Sequence, residues 1–391
     1  MSDLRSTFCG LTAALAALCL CSPAFGRDFA RFYNQSLEER EPRKQAALLD
    51  QALKAWTDED GPDRKSLALL GRGEVREKLG ERAKAFEDYA LAVKTSPASA
   101  DALEAHGVFL YHEGDNLGAF LDLDKAVSLN AAQRRSILFR GLCRARHRDF
   151  GSAIKDIDKA ISQAPADAVY LYSRGHVYSQ MHRPDKALAD YDQAAKLAPR
   201  NPTAANSASD LRRRIQNLKD AVIELENGLR RKPTDPDLLL KRADARVELG
   251  DLAGASADLA AVLAANPNDA AAFDRRGRLR ELADQSDEAY ADYSRAIALQ
   301  RENAPAYSHR GTLLMRSRRF DDALRDFNKA LTLIPQYAEA LYGRGLLLSE
   351  TGKLTAAWAD LSKASLLAPQ DKEIAESLDL LRLRMKRQPQ P

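Results

Sequence analysis

The feature that most constrains this chain is a period. Counting from Ser66 in steps of 34, nine units run without insertion, starting at Ser66, Ala100, Arg134, Ala168, Pro202, Pro236, Ala270, Ala304 and Ala338. Position 20 is alanine in every unit: Ala85, Ala119, Ala153, Ala187, Ala221, Ala255, Ala289, Ala323 and Ala357. Position 8 is Gly, Ala or Ser throughout, from Gly73 to Gly345, and position 24 is always Tyr, Phe, Leu or Ile. Position 27 is alanine in seven of nine units, failing at Gly228 and Val262; position 32 is proline in seven, failing at Ala131 and Arg301. One irregular core does not repeat its packing positions at a fixed spacing. A stack of like units does.

The period resolves into two helices per unit. Positions 4, 8 and 11 share one helical stripe, and positions 17, 20, 24 and 27 share another. A break near position 15, glycine at Gly80, Gly114, Gly250 and Gly352, ends the first helix in a tight turn. Proline at position 32 stops the second helix. Small residues at 8 and 20 let the two helices approach closely. One pair cannot bury both its faces, so neighbours must stack. Composition agrees: 45% hydrophobic residues, 29% charged and only 7% aromatic. That mixture favours helix over strand and is too apolar for a disordered chain. Lys+Arg 59 against Asp+Glu 56 leaves a net charge of +3, which excludes a dominant basic arm or acidic tail.

The ends break the period. Residues 1–26 read as a secretory signal: Arg5 leads into Phe8–Cys21 without a charge, Pro23 follows, and Ala24-Phe25-Gly26 offers small residues for cleavage before Arg27. The uncharged run is shorter than the ~20 residues a membrane span needs. The protein is therefore expected to be exported, periplasmic or extracellular, with no span after signal removal. Three of four cysteines lie in the signal, and Cys143 remains as a buried small hydrophobe. Residues 27–65 form an N-terminal segment whose 43–56 stretch reads as a capping helix, with 27–41 expected loose. Residues 372–391 hold a C-terminal capping helix, with Ile374, Leu378, Leu381 and Met385 on one stripe, and a loose tail from 387.

Over 66–371 these motifs resemble the tetratricopeptide repeat family. The units are 66–99, 100–133, 134–167, 168–201, 202–235, 236–269, 270–303, 304–337 and 338–371. The resemblance implies an all-α fold, an α-solenoid in which antiparallel helix pairs wind into a right-handed superhelix. It implies an inner face, made mainly by first helices, that binds a peptide or protein segment. It implies no catalytic activity. Positions 2, 5, 9, 12 and 13 would face that groove. The resulting candidate partner contacts are Tyr111, Tyr172, His176, Arg278 and Tyr342, with Asp274, Ser308, Met315, Arg316 and Glu350 nearby in the pattern. The Lys/Asn/Arg set of the family's carboxylate clamp is missing, so that specificity is not carried over.

Two departures from the family pattern stand out. Position 7, usually leucine, is arginine at Arg72, Arg140, Arg174, Arg242, Arg276, Arg310 and Arg344. Position 23 is aspartate at Asp88, Asp122, Asp156, Asp190, Asp258, Asp292, Asp326 and Asp360, with Glu224 in the fifth unit. Charges beside a packing stripe must be paired or exposed. The matching counts favour a structural ladder of ion pairs between first and second helices. The alternative is an arginine row facing an acidic ligand. The fifth unit, 202–235, is degenerate: Ser209 at position 8, Gly228 at 27, and no aromatic residue. Its apolar residues Leu211, Ile215, Leu218, Val222, Leu225 and Leu229 step by four and three. A helix pair turning near Gln216-Asn217 is expected, since these residues fall on core positions. The alternative is one continuous helix with a coiled-coil seam.

Chemistry-bearing motifs do not emerge. There is no phosphate loop, nucleophile elbow or zinc helix, and no two of the six histidines are spaced to share a helix face. No catalytic residue, metal or cofactor is assigned. Basic clusters such as Arg212-Arg213-Arg214 lack interleaved aromatics, which argues against nucleic acid. The expected function is a non-enzymatic scaffold holding a protein or peptide partner. An envelope glycan-binding or polysaccharide-machinery accessory is the alternative, which open groove tyrosines would support.

Overall fold

The structure, a computed structural model, describes residues 27–385. The expected signal, 1–26, and the tail from 387 lie outside the described residues. The fold is all-α, an α-solenoid of stacked helix pairs, with no strand among the described residues. The chain divides into two compact units at Cys143/Arg144, inside a helix.

In 27–143 three antiparallel pairs follow one another: α1 (Arg27–Glu38) with α2 (Pro42–Ala55), α3 (Pro62–Lys78) with α4 (Arg82–Thr95), and α5 (Ala100–His112) with α6 (Asn116–Leu129). The division falls in α7 (Arg134–Arg146). In 144–385, α8 (Phe150–Gln163) precedes α9 (Ala168–Gln180) and α10 (Pro184–Leu197). A single long helix, α11 (Thr203–Arg231), comes next. Four more units follow: α12 (Pro236–Glu248) with α13 (Leu252–Ala265), α14 (Ala270–Leu282) with α15 (Ser286–Leu299), α16 (Ala304–Arg316) with α17 (Phe320–Leu333), and α18 (Ala338–Glu350) with α19 (Leu354–Leu367). The last helix, α20 (Lys372–Met385), buries Ile374 and Leu381 against the final pair.

The pairs close as their side chains dictate. A Cβ on Gly73 would stand 2.6 Å from the Tyr89 ring, and one on Gly277 would stand 2.6 Å from the Tyr293 ring. Position 8 is small because the large residue at position 24 lies on it. At position 15 the backbone turns left-handed in eight of nine units: glycine at Gly80, Gly114, Gly250 and Gly352, but Arg148, His182, Asp284 and Arg318 elsewhere, with φ of 51–61°. Each turn is fastened by paired bonds to the helix end, such as Gly80 N to Glu77 O at 3.0 Å and Glu81 N to Arg76 O at 2.8 Å.

The ninth position-15 residue, Gln216, is helical, and this corrects the helix-pair expectation for 202–235. Thr203–Arg231 is one helix of 29 residues, roughly 43 Å long. Helix pairs therefore do not run unbroken over 66–371. What is missing is the lock that closes the other hairpins. Position 7 is Ala208, so Glu224 at position 23 has no arginine to meet, and it is exposed. Ser209 replaces the glycine that seven of the other eight units have at position 8. The apolar stripe meanwhile continues through Ile215 and Leu218 without interruption. The first half of α11 packs on α10 and its second half on α12. Asn217→Pro should accordingly cost about 3 kcal/mol in a urea melt, because it removes an interior helix bond and inserts a ring clash. A cost below about 1 kcal/mol would mean that the helix is already broken there.

The second correction concerns 27–41. This stretch is not loose: Arg27–Glu38 is helical, with Phe29 and Tyr33 only 1% and 5% exposed and their rings stacked at 5.9 Å. They pack with Leu49 and Ala52 of α2, so 42–55 is the second helix of a further pair. The 34-residue register misses this pair because the link after it, 56–61, is longer than the link at 96–99 and α3 starts at Pro62, ahead of Ser66.

Candidate functional site

Two sets of charged side chains organise the array. The first ties the helices of one repeat together. Arg72, Arg174, Arg242, Arg276, Arg310 and Arg344 each meet the aspartate sixteen residues on, at 2.6–2.7 Å. Most do so with two parallel bonds, as from Arg310 Nε and Nη2 to Asp326 at 2.7 and 2.9 Å. The remaining guanidinium nitrogen reaches back to position 25 of the previous repeat: Arg174 to Asp158 at 2.7 Å, Arg310 to Ser294 at 3.2 Å, Arg344 to Asn328 at 2.7 Å. Arg174, Arg310 and Arg344 therefore each couple three helices. A second arginine, at position 11, shares the same aspartate in several repeats: Arg76 with Asp88, Arg144 with Asp156, Arg246 with Asp258, and Arg280 with Asp292. Arg140 bonds Asp124 of the preceding repeat, at 2.9 Å. In the second repeat His106 takes the arginine's place, with Nδ1 2.5 Å from Asp122. Apart from Asp122, the aspartates at position 23 are buried, so the row is internal and its charge is met.

The second set lies on the face built by first helices. In 144–385 that face carries a triad in which His309 and Asp274 are buried and Glu339 is exposed. His309 Nδ1 is 2.7 Å from Asp274 Oδ1, and its Nε2 is 3.3 Å from Glu339 Oε1. The three residues come from α14, α16 and α18, so the triad joins three successive repeats. Burial alone would pull the His309 pKa down, but the two carboxylates outweigh it and hold it at about 10. The imidazole is therefore charged at neutral pH. Tyr337 donates to Glu339 at 2.8 Å. Flanking it, Arg275 bonds Asp244 at 2.9 Å and Arg316 bonds Glu281 at 2.9 Å.

Arg278 stands apart. It is exposed on the same face and makes no hydrogen bond or ion pair among the described residues. Glu339, Asp244 and Asp274 surround it and raise its pKa against the effect of burial, yet these carboxylates are spent on His309 and Arg275. A cation held in an acidic setting whose acids are already paired is poised to accept a further anion or carbonyl.

The other expected contacts sit differently. Tyr111 is 4% exposed and packs edge-on against Phe139 at 5.2 Å and His112 at 5.6 Å. Tyr172 is half-buried against Tyr191 at 5.4 Å. His176 is half-buried, its Nε2 3.5 Å from Gln180 Nε2. Tyr342 is half-buried, with its hydroxyl 3.2 Å from Ser377 Oγ of α20. Tyr111 thus packs on the neighbouring repeat within 27–143; of the four in 144–385, Tyr172 packs against the second helix of its own repeat and Tyr342 reaches the last helix. Sequence reasoning passed over His309 and Glu339. Their signal is a spacing: His309–Asp274 and Arg316–Glu281 are each 35 apart, and Arg275–Asp244 is 31 apart. Those separations, one period plus one or minus three, bring neighbouring first helices into contact.

No group of three or more His, Cys, Asp or Glu is placed to hold a metal among the described residues. Nor is any helix among them long and apolar enough to cross a membrane. Family models described as tetratricopeptide repeat match residues 168–201 and 310–371. Similar solved structures include a tetratricopeptide repeat protein from Parabacteroides merdae ATCC 43184, at 18% identity, covering 72% of this chain and 98% of that one, with a TM-score of 0.37. Yeast Tom70 is another, at 13% identity, covering 92% of this chain and 89% of its own, with a TM-score of 0.42. No curated protein matches the chain.

Proposed function

We propose that this chain, a tetratricopeptide repeat protein, is a non-enzymatic interaction scaffold that holds a protein or peptide segment on the face made by its first helices. The observation that carries this reading is Arg278. Nearly every other buried or half-buried charge on that face is matched, whereas this guanidinium is exposed and unbonded among the described residues. An open arginine on a face whose neighbouring charges are paired can meet a partner's carboxylate or carbonyl, and arginine is a frequent interface anchor. Export to the periplasm or beyond is part of the proposal and rests on residues 1–26 alone.

The glycan-binding alternative loses its support, because Tyr111 is buried, the Tyr172 ring packs against Tyr191 of its own repeat, and Tyr342 packs beside the last helix. The test is a peptide array of envelope protein sequences probed with the full chain. Arg278→Glu should weaken the strongest binders by about tenfold or more, which is roughly 1.4 kcal/mol. Lys329→Glu, on the exposed side of a second helix, should leave them unchanged. Equal loss in both variants, or in neither, would remove the first-helix face as the binding site.

A further inference from the structure

The first-helix face of 27–143 holds a charge of the opposite sign in the same register position. Glu74 is position 9 of its repeat, as Arg278 is of its own. It is half-buried and forms no hydrogen bond or ion pair among the described residues. The other carboxylates around it are occupied. Glu77 accepts from the Tyr89 hydroxyl at 2.9 Å. Glu104 accepts from Ser136 N at 3.1 Å and Ser136 Oγ at 2.7 Å. Asp101 accepts from Gln133 at 2.7 Å, and Asp88 is held by Arg72 and Arg76. An isolated carboxylate withdrawn from water costs free energy unless a cation or donor joins it.

We propose that Glu74 anchors a subsite for a cationic side chain, a lysine or arginine of the segment held on this face. The subsite rests on the reading that first helices bind a protein segment, and deepens it. The groups that face Glu74 define its selectivity. From its own helix come Glu77, three residues on, and Lys78, four on; from α4 comes the Tyr89 hydroxyl; from α7 comes Arg135. Arg135 is drawn over the Phe139 ring, 5.9 Å from its centroid, and does not close on Glu74. Lys78 is exposed and points its stem to solvent. Both pull on Glu74 without a hydrogen bond to it, and an incoming ammonium or guanidinium would add that direct contact.

Binding carries a proton signature. Burial holds the Glu74 pKa at about 7, against the pull of Arg135 and Lys78. At or below neutrality much of it is therefore protonated, and a cation must displace that proton to water. Affinity for a cationic ligand should rise with pH between about 6 and 8. A ligand without a cation should show no such rise.

The experiment uses the full chain with selectively labelled glutamate carboxyl carbons and two probes, acetyl-(Gly-Lys)4-amide and the same peptide with norleucine for lysine. The lysine peptide should lower the Glu74 pKa by about one unit or more, a tenfold coupling, and the norleucine peptide should not. Glu74→Gln should abolish the pH dependence and weaken the lysine peptide about tenfold. Glu59→Gln, exposed in the link before α3, should do neither. An unmoved Glu74 resonance at about 10 mM lysine peptide, or equal binding to Glu74→Gln, overturns the subsite. Failure of the broader reading looks different, since the Arg278→Glu array tests it on other residues and without a lysine probe.

Discussion

Replacing Arg310 by methionine should lower the unfolding free energy by about 3–5 kcal/mol, which is the cost of leaving a buried carboxylate unpaired. Arg310 and Asp326 expose only 18% and 9% of their side chains, and the guanidinium meets both carboxylate oxygens. Methionine keeps most of the apolar stem and removes the charge, so the loss isolates the ion pair from packing. The effect should spread along the chain. Arg310 also reaches Ser294 of the preceding repeat, and a repeat array is stabilised by its units and the interfaces between them. The double variant Arg310→Met/Asp326→Leu should recover much of the loss, because buried pairs exchange well for apolar ones of similar size. The exposed pair Arg213–Asp210 sets the contrast: its removal should cost about 0–1 kcal/mol. Urea unfolding of the four proteins decides the matter. A loss at Arg310 no larger than at Arg213 would show that the ladder only decorates the fold.

His309→Leu should be comparably costly near neutral pH, about 3 kcal/mol or more, because Asp274 would be left buried without a partner. Its pH dependence has a definite sign. His309 is held protonated up to about 10, whereas the unfolded chain releases that proton near its ordinary value of about 6.5. The stabilisation is therefore complete below about pH 6.5 and drains away as pH rises through about 10. Glu339 contributes in the opposite direction: His309 holds its pKa below the usual carboxylate range despite burial, so its share fades in acid. That share is small, since its side chain keeps half its surface in water. The difference in urea midpoint between wild type and His309→Leu should shrink steadily from pH 6 to about pH 10. A difference that does not change over that interval would mean that His309 packs as a neutral ring and carries no charge.

The chain illustrates which contacts a repeat writes into its sequence. A pair sixteen residues apart, such as Arg344 with Asp360, joins the two helices of one unit and recurs in register, so it can be read from spacing alone. Pairs 31 or 35 apart, such as Arg275 with Asp244 and His309 with Asp274, join first helices of neighbouring units. They occur singly, and nothing in one sequence separates them from chance. The same holds for Tyr111. Its position faces the groove in the family pattern, but Phe139 and His112 cover it here. Which side chain at a nominal groove position is open depends on the bulk of its neighbours one repeat away.

By itself the sequence determined the all-α class, the helix pairs, their turns and the ladder. All four follow from local periodicity and from contacts at a fixed offset. Tertiary packing decided the rest. The first pair, Arg27–Glu38 with Pro42–Ala55, forms out of register because Phe29 and Tyr33 need cover, and packing does not count residues. The fifth unit stays one helix, although its apolar residues sit at the same positions as those of its neighbours. A hairpin is stable only when contacts between its helices repay the bonds broken at the turn, and Ala208 with Ser209 offers neither an ion pair nor a notch for a ring. Glu74 and Arg278 are marked in the same way, by what surrounding side chains do not supply. An absence of partners among the described residues has no period, so only the folded structure reveals it.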